Sequence, residues 1–183
     1  MSGIPKSELS DLAGHHYLVT FIGWQLARRV QANGARINIG RVLEFCLVND
    51  LGELFGGDIA MPYARRNPKA RQKAKAFERE NQHFLARFFG QDKTYVKKLM
   101  AETMDAKSDE AVIAKLADYI EVTHYKAYIK ILIKDDITMA KEKIVKTLKK
   151  LQDPIARRTL NEFTKQWLKA ITQKKSIFEL LKL

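Results

Sequence analysis

Apolar residues recur along this chain at spacings of three and four, which is the period of one face of an α-helix. Alternating apolar and polar runs bounded by turn dipeptides, which would indicate strands, are nearly absent. The pattern therefore predicts an all-α fold, a helical bundle of eight helices. Their expected ranges are about residues 7–33, 39–55, 70–89, 94–104, 110–134, 138–151, 154–172 and 176–183.

Capping residues mark several helix ends. Ser7 or Ser10 is expected to cap the first helix, and Gly34 is expected to end it. Ser108 has the side chain and position of an N-cap for the long helix near residues 110–134, and Pro154 suits the first turn of the helix that follows it.

The stretch between the second and third helices differs from the rest because two prolines interrupt it. Residues 56–70 contain Pro62 and Pro68 and are expected to form an irregular surface loop near the end of the second helix. The third helix is expected to turn four apolar side chains inward: Phe77, Phe84, Leu85 and Phe88.

The length and composition favour one domain over residues 1–183, with a core at about residues 7–134 and C-terminal helices, residues 138–183, packed on it. The N-terminus lacks the order of a secretory signal, and no apolar run reaches the ~18 residues that a membrane span needs. We therefore expect a cytoplasmic protein without a membrane partner. The net charge of +12 favours phosphorylated small molecules or nucleic acid as partners.

Acidic and amide side chains stand at the inner end of the apolar run EFCLVNDLGELFGGDI. Asn49 and Asp50 end the run, Glu53 follows one turn later, and Asp58 lies beyond a Gly-Gly break. An unpaired buried charge is costly, so such a run indicates a site rather than a core. If the helix continues through this segment, Asp50 and Glu53 share one face of it.

Further polar residues on two other helices complete a candidate metal-binding set. His15 or His16 lies near the start of the first helix, and Asp118 lies at the edge of an apolar stripe in KLADYIEV. One histidine, one amide oxygen and two aspartates form a mixed nitrogen and oxygen set that suits a divalent metal ion.

These motifs, in this order and with these spacings, resemble the HD-domain metal-dependent phosphohydrolases. The most similar group is the 5′-deoxynucleotidase-like branch, whose central motif reads A-L-V-H-D-x-x-E-x-x-x-G-D and corresponds to CLVNDLGELFGGDI. The resemblance covers about residues 13–134 and implies an all-helical fold, a dimer and hydrolysis of nucleoside 5′-monophosphates.

The resemblance also implies roles for individual residues. Metal ligands would be His16, Asp50 and Asp118, with Asn49 in the place of the histidine of the family's His-Asp doublet. Two further acids would be catalytic: Glu53 would handle the attacking water or the leaving oxygen, and Asp58 would contact the sugar.

Two departures from the family pattern change the expected chemistry. Asn49 replaces an imidazole with a harder and weaker donor, which favours Mn²⁺ or Mg²⁺ over zinc, cobalt or nickel. No arginine precedes His16, so the family's phosphate contact has no counterpart there. The nearest replacements for phosphate binding are Arg65, Arg66, Lys69 and Arg71.

The sequence leaves a second hypothesis open: a catalytically degenerate HD-fold module that binds nucleotide or nucleic acid. In that case Asn49 would cap or bridge helices without contacting a metal. Glu121, one turn from Asp118, is either an additional carboxylate near the metal or part of a solvated helix face, and the solvated face is the favoured reading.

Overall fold

The computed structural model describes residues 11–56, 59 and 61–173. Every regular element in this part of the chain is helical, which confirms the predicted all-α fold. The α-helices are α1 (Leu12–Ala32), α2 (Ile39–Leu47), α3 (Met61–Arg66), α4 (Pro68–Leu85), α5 (Lys93–Asp105), α6 (Asp109–Tyr128), α7 (Lys134–Leu148) and α8 (Pro154–Thr172). Two 3₁₀ segments join them, Leu51–Glu53 and Ala86–Asp92.

The core lies between α1, α2 and α6, which pack against one another, while α7 packs on α6 and α8 packs on both α1 and α7. Val19, Phe45, Cys46 and Leu116 are fully buried at this junction. The helices approach closely because α1 carries Gly23 there, where an added Cβ would lie only 2.5 Å from Cys46 Sγ. This packing fixes the relative positions of α1, α6 and the turn after α2, which carry the candidate site.

Helix caps account for several of the observed boundaries. Ser108 Oγ accepts a hydrogen bond from Ala111 N at 3.3 Å, and Pro154 occupies the first turn of α8, as the sequence predicts. The N-cap of α1 is Asp11, whose Oδ1 accepts from Gly14 N at 2.6 Å. The predicted caps Ser7 and Ser10, like the predicted helix at residues 176–183, lie outside the described residues.

The boundary between α6 and α7 differs from the prediction. Helix α6 ends at Tyr128 instead of about residue 134, because Lys130 adopts a positive φ of 62° and turns the chain, and α7 begins at Lys134 instead of about residue 138.

Two further segments differ from the prediction. Helix α2 ends at Leu47 instead of continuing to residue 55, and the chain turns before the 3₁₀ segment Leu51–Glu53. Within residues 56–70, which were expected to be irregular, Met61–Arg66 form α3, and Asn67 caps α4 by accepting from Ala70 N at 3.2 Å. Pro68 does not interrupt a helix because it stands in the first turn of α4. A backbone N–H in the first turn has no acceptor within the helix, so the missing N–H of proline costs no hydrogen bond there.

The aromatic side chains of α4 and the segment after it do not point into the core. Phe77, Phe84 and Phe88 are 46%, 45% and 73% exposed, so the prediction that they face inward is wrong. Phe84 instead makes edge-to-face contacts with Phe55 and Phe88, at ring-centroid distances of 5.6 and 5.4 Å. Their helical spacing is real, but α4 lies at the edge of the bundle and its only buried residues are Asn81 and Gln82.

None of the helices in the described residues is both long enough and apolar enough to cross a membrane.

Candidate metal centre

Three side chains from separate elements meet at one end of the α1, α2 and α6 junction. His15 lies in the first turns of α1, Asp50 follows the end of α2, and Asp118 lies midway along α6. One nitrogen atom of His15 and one carboxylate oxygen of each aspartate all lie within 4.8 Å of one another. We call these three residues the acidic cluster.

The distances within the acidic cluster show how the donors face each other. His15 Nε2 lies 3.1 Å from Asp50 Oδ2 and 3.6 Å from Asp118 Oδ1. One imidazole nitrogen and two carboxylate oxygens that converge in this way are a candidate donor set for a divalent metal ion.

The structure brings His15, and not the expected His16, into this cluster. His16 Nε2 accepts a hydrogen bond from the backbone N–H of Asp50 at 3.3 Å, so His16 holds the turn that carries Asp50. Burial, and then the charge of His15, lowers the pKa of His16, which suits a neutral ring that accepts a hydrogen bond. Neighbouring helical residues point about 100° apart, so only one of the two rings can enter the cluster.

Two further residues of α6 hold the cluster in place. Glu121 Oε2 lies 2.7 Å from His15 Nδ1, and Lys115 Nζ lies 2.8 Å from Asp118 Oδ2. Glu121 is only 3% exposed, so the reading of a solvated helix face is wrong. A carboxylate on one nitrogen of a histidine leaves the other nitrogen free for a metal, a common arrangement around metal-binding histidines.

The charges of the cluster favour a cation. Burial alone would lower the pKa of His15, but hydrogen bonds with Asp50 and Glu121 and the charge of Asp118 raise it to about 10. Burial alone would raise the pKa of Asp50, and its hydrogen bond with His15 together with nearby positive charges lowers it. The carboxylates of Asp50, Asp118 and Glu121 thus create a negative potential around His15 that attracts a cation.

Asn49 precedes Asp50 and is 5% exposed. Its amide nitrogen is buried and has no hydrogen-bond partner among the described residues. Buried polar groups without a partner are rare in folded proteins and often indicate an absent water or ion. This nitrogen is an N–H donor, so it calls for an acceptor such as a water oxygen and cannot itself bind a cation. Only the amide oxygen of Asn49 is a possible metal ligand, and Asn49 is not among the described residues that line the adjoining cavity.

The acidic cluster opens into a cavity of about 460 Å³, within the size range of small-molecule sites. Glu53 also lines this cavity. It does not share a helix with Asp50, because α2 ends before Asp50 and Glu53 belongs to the 3₁₀ segment that follows. That segment is fastened to α4 through Gly52, whose carbonyl accepts from Asn81 Nδ2 at 2.7 Å. An added Cβ on Gly52 would lie 2.9 Å from the Glu78 carbonyl oxygen, so this contact needs glycine.

Several lining residues were not predicted. The cavity wall includes Glu78, Lys75, Lys115, Lys126 and Lys143. Burial, and then the charge of Asp50, raises the pKa of Glu78. Lys115 could have been found from the sequence, because it stands three residues before Asp118 on the same helix face.

Of the four residues predicted to bind phosphate, Arg71 lines the cavity. Arg65, Arg66 and Lys69 are exposed and are not part of its lining. Asp58, expected to contact the sugar, lies outside the described residues.

Comparison with known proteins gives one match. A family model described as "HD domain" matches residues 4–150, which is most of the chain and includes the whole acidic cluster. Neither the curated proteins nor the solved structures include a significant match.

Proposed function

The chain belongs to the HD domain family, whose members are generally metal-dependent hydrolases, and on this premise we propose that it releases phosphate from nucleoside 5′-monophosphates. The observation that carries the proposal is the convergence of His15, Asp50 and Asp118 at the end of a cavity that basic residues also line. An ion site beside basic side chains suits a phosphate ester, because the metal and the cations can share its negative charge.

The residues of the acidic cluster fit a divalent ion. The donors are one imidazole nitrogen and two carboxylate oxygens, and Glu121 already orients the imidazole. We assign His15, Asp50 and Asp118 as ligands, with the Asn49 amide oxygen as a fourth, and a donor set so rich in oxygen favours Mn²⁺ or Mg²⁺. When bound, such an ion polarises a phosphoryl oxygen and lowers the pKa of its water.

The chain's own residues would supply the remaining steps. Glu53, which lines the cavity beside Asp50, would accept the proton of the attacking water and return it to the leaving 5′ oxygen. Lys115, held by Asp118 at the cavity wall, would bind the oxygens of the scissile phosphate. Asp58 would bind the sugar, in line with the Gly-Asp pair of the motif.

The nucleotidase branch is proposed from the motif CLVNDLGELFGGDI, which follows the branch pattern except at Asn49. The close contact at Gly52 fixes the segment between Asp50 and Glu53 against α4, but Gly52 stands at an unspecified position of the motif, so this contact does not bear on the branch. The homodimer that the branch implies is part of the same proposal.

Metal content and phosphate release test the proposal together. The full chain is stripped with a chelator, soaked in Mn²⁺ and analysed for bound metal, and phosphate release from AMP and dAMP is then measured. We expect one ion per chain in the wild type and, because imidazole is the stronger donor, about tenfold tighter binding and faster hydrolysis in Asn49→His. Asn161→His is the matched control, since the Asn161 side chain bonds only its own helix, at Arg157 O.

If neither the wild type nor Asn49→His retains a stoichiometric ion, the hydrolase proposal fails. Nucleotide or nucleic-acid binding without hydrolysis, weakening steeply with salt, would then favour the degenerate binding module instead.

A further inference from the structure

The basic residues that line the cavity fall into two groups. Lys115 and Lys126 form ion pairs with Asp118 and Asp136, at 2.8 and 2.7 Å. Arg71, Lys75 and Lys143 have no carboxylate within 4.0 Å among the described residues. We call these three the cationic wall.

Lys143 is the most enclosed member of the cationic wall. It is half-buried, and its Nζ lies 4.8 Å from the ring centroid of Tyr119, while Lys115 Nζ lies 5.5 Å from the same ring. Two ammonium groups, one from α6 and one from α7, thus share one aromatic ring. A ring face attracts a cation but does not neutralise its charge.

The surroundings of Lys143 disfavour its charge. Burial lowers the pKa of Lys143, and although the charge of Asp118 raises it, the charges of Lys115, Arg65 and Arg71 lower it further. Buried or half-buried charges are normally paired, because an unpaired one has lost hydration without compensation. An anionic group in the cavity would provide the missing partner.

The scissile phosphate does not meet this need in the proposed function. We place that phosphate at the acidic cluster, where Lys115 binds it, and this leaves Lys143 and Arg71, on α7 and α4, without an anion. Lys143 Nζ and Lys115 Nζ both lie near the ring of Tyr119, so one ligand can reach both. A nucleoside 5′-monophosphate has no second phosphate to place against them. The cavity of about 460 Å³ has room for a ligand of nucleotide size.

We propose that Arg71 and Lys143 form a second anion subsite that binds a further phosphate group of the substrate, one that is not hydrolysed. The preferred substrate is then a nucleotide with phosphates at two positions, such as a nucleoside 3′,5′-bisphosphate. This inference rests on the proposed function. In the reaction, water attacks the 5′ phosphorus, the phosphorus–oxygen ester bond breaks, and the 5′ oxygen takes up the proton, which gives a nucleoside 3′-monophosphate and inorganic phosphate.

Hydrolysis of two probes by the Mn²⁺-loaded full chain tests the subsite. We expect kcat/KM for adenosine 3′,5′-bisphosphate to exceed that for AMP by about tenfold or more, the usual effect of a charged hydrogen bond. Lys143→Gln, which keeps the side-chain stem, should bring this ratio close to one, mainly through KM, whereas Lys143→Arg should preserve it. Lys141→Gln is the control, because Lys141 is exposed on the same helix and does not line this cavity.

Equal kcat/KM values for the two probes, or a ratio that Lys143→Gln leaves unchanged, would overturn the proposal. If neither probe is hydrolysed, the proposed function fails, and calorimetric binding of the bisphosphate to metal-free protein decides on the subsite separately. The subsite then requires at least tenfold weaker binding in Lys143→Gln than in the wild type, and similar affinities would refute it.

Discussion

The acidic cluster and the cationic wall line one cavity but differ in how their charges are compensated. Each member of the acidic cluster has a charged partner: His15 lies between Asp50 and Glu121, and Asp118 pairs with Lys115. The members of the cationic wall have no such partner among the described residues. The cluster is therefore complete as a set of donors, and the wall lacks an anion.

The difference follows from the elements that carry the two groups. The acidic cluster stands on α1, α6 and the turn after α2, beside fully buried residues such as Val19, Cys46 and Ala117. Arg71 and Lys75 of the wall are exposed on α4, at the edge of the bundle. Core packing can hold a metal site to within fractions of an ångström, whereas long basic side chains on a peripheral helix adjust to a ligand.

Removing a negative charge from the acidic cluster should lower the metal affinity most. We expect Asp118→Asn to weaken Mn²⁺ binding on the order of 1,000-fold, since a charge contact near 4 Å is worth roughly 4 kcal/mol at an effective dielectric constant of about 20, and every 1.4 kcal/mol is about tenfold in affinity. It also leaves Lys115 without its partner. Calorimetric titration of metal into chelator-treated protein measures the change, with Asp135→Asn, an exposed acid of α7, as control. Wild-type affinity in Asp118→Asn would remove Asp118 from the ligand set.

Substituting Glu121, which contacts His15, should lower the metal affinity less than substituting Asp118. Glu121→Gln keeps a hydrogen-bond acceptor for His15 Nδ1 but removes its charge, and we expect metal affinity to fall about 10-fold to 100-fold. Glu142→Gln, an exposed position on α7, should leave the same titration unchanged. If the two variants behave alike, Glu121 contributes to folding and not to the metal centre.

The packing beneath the cluster is tested by the stability of the fold instead of by metal affinity. Gly23→Ala would place a Cβ 2.5 Å from Cys46 Sγ, and we expect it to lower the free energy of unfolding by about 1–3 kcal/mol, as overpacked cores do. Denaturant unfolding measures the change. Adding Cys46→Ala to Gly23→Ala removes the clashing sulfur and should recover part of the loss. An additive double variant would show that this contact does not set the distance between α1 and α2.

The sequence by itself predicted the helical class, most helix ends and the segment that carries the site. The periods of three and four, the Ser108 cap and Pro154 are local signals, so they predict local structure reliably. Asp50 and Asp118 could be chosen because acids at the end of an apolar run or beside one are rarely structural.

Only the tertiary structure decided which side chains meet. Whether His15 or His16 joins the acidic cluster depends on how α1 is rotated about its axis relative to α6. The sequence of α1 alone does not determine that rotation. Helix α4 has an aromatic spacing that suggests burial, but its edge position leaves Phe77 and Phe84 exposed. Lys143 enters the cavity because α7 folds back on α6 and places its Nζ over Tyr119. Local sequence fixes periodicity and caps, whereas these contacts arise from the packing of residues that are distant along the chain.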